Sequence, residues 1–399
     1  MSYASATDLI RESLQVLRPA PYINLADFSE KYRKLSAKNS ALPGKFRLRY
    51  TPYIREILEC YTDPEIEYLI MMKSSQVAWT DGVLNNILAY SIAHDPSGIL
   101  IMFPTEDMAK RYSKNKLDAM IEDNPWLSKH ISPIRSRDSK NTALSKHFKG
   151  GHLELVGSNA PSKLASDPIK RIFIEEPDRC ALDSGGEGDS LEIVIERSKT
   201  FEDRKIVMGG SPTIKGQSPI EREFEGSDQR FYNTPCPECK ELILLDLPMI
   251  KWGKSKIANH PVYGQHLPET AKVECPHCGY RYNNDIKIKT LRDGIWQAKR
   301  EFDGRAGFFL NELLSPFPKA TLSHVVAKFL KAKRAQDRGD HRQMITFENQ
   351  SLGNTWEIKG DKVEHEELYQ SRRHEYGPEL HEDALIITAG VDVQKNRLE

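Results

Sequence analysis

Long apolar runs are missing from this chain. None approaches the roughly 18–20 residues that a membrane-crossing helix needs, so no membrane partner is expected. Net charge is missing too. Lys+Arg and Asp+Glu balance at 57 each, so no global field draws the chain to a polyanion, and any nucleic-acid surface must be local. The N-terminus, Met1-Ser2-Tyr3-Ala4-Ser5, has no basic region followed by an apolar block, so no signal peptide is evident. Cysteine is scarce, with six in 399 residues, and four of them fall in two CxxC pairs. Without a secretory signal, that pairing favours a metal over disulfides. Cys60 and Cys180 are expected to stay reduced. No repeat or low-complexity tract stands out. The length suggests roughly two to three domains.

Glycines are also missing where a phosphate-binding loop would carry them. The stretch Lys73-Ser74-Ser75-Gln76-Val77-Ala78-Trp79-Thr80-Asp81 follows an apolar strand candidate, Tyr68-Leu69-Ile70-Met71-Met72. It precedes a helix candidate with apolar Val83, Leu84, Ile87, Leu88 and Ile92. Strand, turn, helix is the setting of a P-loop. Backbone N–H groups of the turn and the helix start would face an anionic phosphate. Thr80 would sit where the P-loop hydroxyl meets Mg²⁺. Against the pattern GxxxxGK followed by Ser or Thr, Lys73 takes the first glycine position, Ala78 the second and Trp79 the lysine position. Lys73 can reach phosphates from the other end of the loop. Taken alone, an ordinary buried strand-turn-helix fits the stretch as well.

Residues 66 to 210 alternate apolar strands with amphipathic stretches. Strands are expected at 66–72, 98–103, 152–156, 171–174 and 205–208, with helices near 80–93, 106–121 and 190–200. This rhythm argues for an open, mostly parallel α/β sheet flanked by helices, which binds ligands beyond the carboxyl ends of its strands. One strand, Arg171-Ile172-Phe173-Ile174, ends in Glu175-Glu176. A nucleotide hydrolase needs one acid to hold Mg²⁺, directly or through water, and a neighbour to deprotonate the attacking water. Glu175 is the candidate for the first role and Glu176 for the second. The plain alternative is a strand ending on a solvated acidic turn. After the next strand comes Gly209-Gly210-Ser211-Pro212-Thr213, where small hydroxyl residues can sense phosphate loss and pass it on. A simple Gly-Ser-Pro turn is the alternative there.

Cys236-Pro237-Glu238-Cys239 and Cys275-Pro276-His277-Cys278 are two knuckles separated by 35 residues. Two such turns can close a Cys₄ site for Zn²⁺ with no open position, hence a structural one. His277 reads as a surface residue. The gap implies an inserted loop. Basic residues cluster locally at Arg135, Arg137, Lys140, Lys146 and Lys149, and at Lys328, Lys331, Lys333 and Arg334 on a helix beginning near Leu322. Each cluster suits phosphate contact or merely a solvated face. The expected organisation is an N-terminal helical segment (1–60), a P-loop ATPase core (61–230), a zinc-ribbon-like insertion (231–300), a C-terminal ATPase or linker subdomain (301–383), and a new strand opening at 384–399.

Further motifs complete an ordered set: Phe308-Phe309-Leu310-Asn311-Glu312-Leu313-Leu314-Ser315-Pro316-Phe317, Ser351-Leu352-Gly353-Asn354-Thr355-Trp356-Glu357, and Thr388-Ala389-Gly390-Val391-Asp392-Val393-Gln394. The set resembles the large subunit of tailed-phage terminases of the GpA (lambda) type, from about Tyr32 to the end. The resemblance implies an ATP-driven DNA-packaging motor with an N-terminal ATPase and a C-terminal nuclease of RNase H-like fold. It implies ATP and Mg²⁺ as cofactors beside the Zn²⁺ of the Cys₄ site. It implies double-stranded DNA, a small terminase subunit and the portal of a procapsid as partners, and a homo-oligomer working in the host cytoplasm. In this subfamily the P-loop lysine commonly opens the loop, as Lys73 does. The acid pair maps onto Glu175, where Asp is commoner, and Glu176. The coupling motif maps onto Ser211, Pro212 and Thr213, and the first nuclease metal ligand onto Asp392. The chain stops at Glu399, soon after Asp392, so no endonuclease activity is expected of it alone. An arginine finger from a neighbouring subunit, or Arg179 or Arg197, is an open matter. The rival readings are a zinc-stabilised DNA-binding or docking scaffold with an inert loop, and another nucleic-acid motor such as a helicase. All of this requires Lys73 and Glu176 to meet at the rim of one sheet.

Overall fold

The computed structural model describes residues 23–38, 40–131 and 141–358. Arg135, Arg137, Lys140 and Asp392, and the strand expected at 384–399, lie outside the described residues. A small hairpin pairs β1 (Lys34–Leu35) with β2 (Gly44–Lys45). The main sheet then takes β3 (Tyr68–Lys73), β4 (Gly98–Phe103), β5 (Ser145–Phe148), β6 (Gly151–Gly157), β7 (Arg171–Glu175) and β8 (Lys205–Gly210). It continues with β9 (Arg230–Pro235) and β10 (Leu242–Leu244). The strands β11 (Ile250–Lys254), β12 (His266–Glu274) and β13 (Arg281–Tyr282) form a separate three-stranded sheet, after which β14 (Ile295–Ala298) and β15 (Arg305–Leu310) return to the main one. The main sheet has the order β10-β9-β15-β3-β8-β7-β4-β6-β5, with β14 also pairing β9. From β9 to β6 every neighbouring pair is parallel. Among the described residues, its antiparallel strands stand only at the margins, β5 beside β6 and β10 and β14 beside β9.

The side-chain period of two explains why these runs are apolar throughout. Leu69, Met71, Ile99, Ile101, Phe173 and Val207 join one core, while Ile70, Met72, Leu100, Met102, Ile172, Ile174, Ile206 and Met208 join the other. Both faces of the sheet are therefore covered. Burying each such side chain contributes roughly 1.5–3 kcal/mol. The strands that carry the site are thus held from both sides.

Three expectations need adjustment. The helix after the loop begins as a π-turn, Trp79–Leu84, before the α-helix Asn85–Ala93. The helix expected at 106–121 is interrupted by a second π-turn, Ser113–Leu117. The 231–300 segment is not set apart from the parallel sheet, because β9, β10 and β14 belong to it. The composition of that segment hides the alternation of buried Tyr232 and Thr234 that places β9 beside β15. Only β11–β13 stand off as a sheet of their own, backed by the helix Leu322–Gln336. Among the described residues no helix is long and apolar enough to cross a membrane.

Candidate active site

The carboxyl ends of three adjacent strands converge here. Lys73 ends β3, Gly210 ends β8 and Glu175 ends β7, and the registers Met72↔Gly210 and Glu175↔Gly209 keep these ends level. Lys73 and Glu176 meet across β8. Lys73 Nζ lies 3.0 Å from Glu176 Oε1, with the lysine side chain 6% exposed and the glutamate 19%. At that depth water screens the attraction poorly, while burial costs both charges their hydration. Glu176 stands in the left-handed region (φ 50°, ψ 60°). That conformation costs a non-glycine residue roughly 1–2 kcal/mol, and strain of this kind gathers at working sites. Its backbone N–H donates to Gly209 O at 2.9 Å, and the Ser211 N–H donates to its Oε2 at 3.3 Å.

The loop between Lys73 and Trp79 is tightly turned. Gln76 (φ 58°) and Ala78 (φ 65°) are both left-handed, so Ala78 adopts the conformation for which the usual pattern keeps glycine. A later segment clasps the start of the loop. Ser75 donates its N–H and its hydroxyl to Gln350 O, at 2.8 and 3.1 Å, and the Ser74 N–H donates to Leu310 O at 2.7 Å. Gly353 (φ +72°) closes the clasp, where a Cβ would stand 3.0 Å from Ser74 N and 3.1 Å from Leu310 O. The amides of Ser74 and Ser75 are therefore engaged, which leaves those from Gln76 onward for the phosphate-facing role expected of the turn. The Ser74 hydroxyl is buried with no partner among the described residues.

Trp79 explains the missing glycine-lysine pair. Its indole packs against bare Gly209, where a Cβ would lie 2.4 Å from the ring, and its Nε1 donates to Glu175 Oε1. The side chain at the usual lysine position is thus an anchor beneath the sheet rim. Glu175 is buried with it. Desolvation, reinforced by Glu176 and opposed by Lys73 and the Trp79 bond, pushes its carboxyl up to about 8. Bonded to an indole, this carboxyl suits contact with a metal through water, one of the two ways expected of Glu175.

This burial has a pH signature. Between about pH 4.5 and 8 the folded carboxyl keeps its proton while the unfolded one releases it. The folded state then binds more protons, so unfolding free energy falls as pH rises through that window. Glu175→Gln is expected to remove that part of the decline. Denaturant midpoints at pH 5 and pH 8 for both proteins measure it; equal slopes would contradict the assignment.

Other expected residues take up distinct duties. Asp81 is committed to Lys116 (2.7 Å) and to Asn85 (2.8 Å), not to the loop interior. Thr80 lies in the π-turn, half-buried. Arg197 is buried, donating to Asp167 O at 2.6 Å and Lys163 O at 3.0 Å, so it is bound into its own fold and unfit as a finger for a neighbour. Arg179 is half-exposed, with Nε 4.0 Å from Glu176 Oε2. Ser211 and Thr213 touch the acidic turn directly: the Thr213 hydroxyl donates to Asp178 Oδ2 at 2.7 Å, and Ile220 N–H donates to Asp178 Oδ1 at 2.9 Å. The Trp356 N–H donates to Thr213 O at 2.7 Å, so the chain that clasps the loop also binds the Ser211–Thr213 turn. Asp178, Gly209, Gln350 and Gly353 escaped the sequence reading as site residues. Gly209 and Gly353 carried a signal, each as a glycine of a recognisable motif.

The family model described as the phage terminase large subunit gpA ATPase domain matches residues 40–296. This chain belongs to that family. The model of the gpA endonuclease domain matches residues 305–399, although β15 at the start of that match sits beside β3 in the ATPase sheet. The chain is 25% identical to the terminase large subunit of Enterobacteria phage P21 over 97% of its length and 61% of that protein's. It is 24% identical to the corresponding subunit of Escherichia phage lambda, over 87% of this chain and 55% of that protein. The chain therefore spans little more than half the length of these relatives. A solved structure, the HK97 bacteriophage large terminase, aligns with a TM-score of 0.40 at 9% identity, covering 51% of this chain and 40% of that one.

In this gpA-family chain the two cysteine knuckles come together. The sulfurs of Cys236, Cys239, Cys275 and Cys278 all lie within 4.8 Å of one another, and the pairs 236–278 and 239–275 stand 3.8 Å apart. Tetrahedral Zn–S bonds of roughly 2.3 Å would put sulfurs about 3.8 Å apart. The four-thiol donor set therefore fits zinc. Two of the four cations of the expected basic helix are paired, Lys328 with Glu312 and Lys333 with Asp337. Lys146 is buried against Asp118 at 3.2 Å.

Proposed function

We propose that this chain is the ATP-hydrolysing part of a terminase motor that moves duplex DNA into a procapsid. The single observation that carries the reading is the Lys73–Glu176 contact at the rim of adjacent parallel strands, 3.0 Å across β8. Without nucleotide, Lys73 neutralises Glu176. The phosphates of ATP compete for the ammonium, and its turn toward them frees Glu176 to take a proton from the attacking water. Amides from Gln76 through Thr80 line the phosphates, since those of Ser74 and Ser75 are engaged. Thr80 would hold Mg²⁺, with Glu175 joining only in its ionised form. Magnesium, when bound, neutralises charge on the β- and γ-phosphate oxygens. Loss of the γ-phosphate returns Lys73 to Glu176, and the Ser211 N–H on the same carboxylate carries the change into Ser211-Pro212-Thr213. Cys236, Cys239, Cys275 and Cys278 hold structural Zn²⁺.

By likeness to the family, the partners are a small terminase subunit, the portal and further copies of this chain, in the host cytoplasm. Asp392 is the proposed first metal ligand of the nuclease portion. The test is ATP turnover by the purified chain with and without duplex DNA. Turnover stimulated by duplex is expected. Absence of ATP binding under both conditions would favour the scaffold reading instead.

A further inference from the structure

A cavity of about 840 Å³ lies away from the nucleotide site. It lies on the β11–β12–β13 sheet and is walled by Lys251, Lys254, Lys272, Arg281, Trp252 and Phe329, the last from the helix Leu322–Gln336. Among the described residues, no carboxylate lines it. In a chain whose charges cancel overall, four cations and no acid around one groove is a local departure. The register sharpens it. Lys251 stands directly opposite Lys272 on neighbouring strands. Like charges in that position destabilise a sheet, so the pairing works against folding. Lys251, Lys254 and Lys272 are all exposed. Arg281 is the one cation of the four with a carboxylate among the described residues, Glu274. Lys254 and Lys272 make no ion pair among those residues, and Lys251 Nζ donates only to Pro248 O at 2.9 Å. Phe329 and Trp252, packed edge to face, stiffen the wall.

We propose that this groove binds the sugar-phosphate backbone of duplex DNA, apart from the nucleotide site. Successive phosphates supply the negative charge that the opposed lysines lack, and they need no sequence-specific pocket. The inference rests on the DNA-motor reading given above.

The test uses the full chain, zinc-loaded, and a fluorescein-labelled mixed-sequence duplex read by anisotropy across a salt series. The triple variant Lys251→Gln, Lys254→Gln, Lys272→Gln is expected to raise Kd about 10-fold. It should also reduce the log–log salt slope by about 2–3, since each phosphate that a lysine no longer neutralises removes slightly under one unit. Its thermal midpoint should equal or exceed that of the wild type, because a repulsive pair is gone. DNA-free ATP turnover should not change. A triple variant with wild-type affinity and slope overturns the groove while leaving the motor reading intact. A wild-type chain with no affinity for duplex overturns both. Polyglutamate that binds the wild type as tightly as DNA, and fails to bind the variant, overturns the assignment to DNA in favour of an acidic protein partner.

Discussion

Glu176→Gln is expected to lower ATP turnover by about 10²–10⁴-fold, the usual worth of a positioned general base. Nucleotide affinity should survive, because binding needs Lys73 and the loop amides and not the base. The amide can still accept from the Ser211 N–H, and the Lys73 ammonium loses only its ionic partner. Affinity for ATP should therefore hold or rise slightly, since the phosphates no longer displace a carboxylate from Lys73. Single-turnover rates and equilibrium titration on the same preparation separate the two quantities. A variant that turns over ATP at the wild-type rate would remove Glu176 from the chemistry.

Removal of zinc should have the largest effect on the fold. Elemental analysis is expected to find about one zinc per chain. Structural zinc in small peptides contributes roughly 10–16 kcal/mol, and its loss removes the cross-link that the four sulfurs share. The two knuckles join unlike parts. Cys236 follows β9 of the main sheet, whereas Cys275 follows β12 of the small one. Chelation should thus release β11–β13 first, while β3, β7 and β8, far inside the parallel sheet, stay closed. Amide exchange gives the readout: protection lost over residues 250–282 and kept over 68–73 and 171–175. Metal-free protein with both regions fully protected would overturn the assignment.

The strands around the site were legible because apolar runs of four to six residues separated by amphipathic stretches have few other solutions. The double glutamate ending Arg171–Glu175 and the lysine ending Tyr68–Lys73 then had to share one rim, and they do. What lay hidden depended on distance along the chain. Nothing local in Trp79 announces that its indole will meet Glu175 and a bare Gly209, because that contact requires β8 to be seated between β3 and β7. The same holds for Gln350, whose carbonyl serves Ser75 from 275 positions away. The cysteine knuckles were readable as a pair, but their composition concealed that the flanking strands extend the main sheet. Glu175 and Glu176 look equivalent as letters. Burial makes one a hidden partner of tryptophan and leaves the other, held in a left-handed turn, at the rim.

The clasp has a mechanical side. Gln350 holds the loop that would grip phosphate, Thr355 bonds Glu221, and Trp356 is stitched to Thr213 and Lys215. A few residues of backbone thus connect the front and the back of the candidate engine like a drawstring. Any shift of the Gln350–Trp356 segment must load these few bonds before it reaches a strand, so the phosphate loop and the Ser211–Thr213 turn would feel it together.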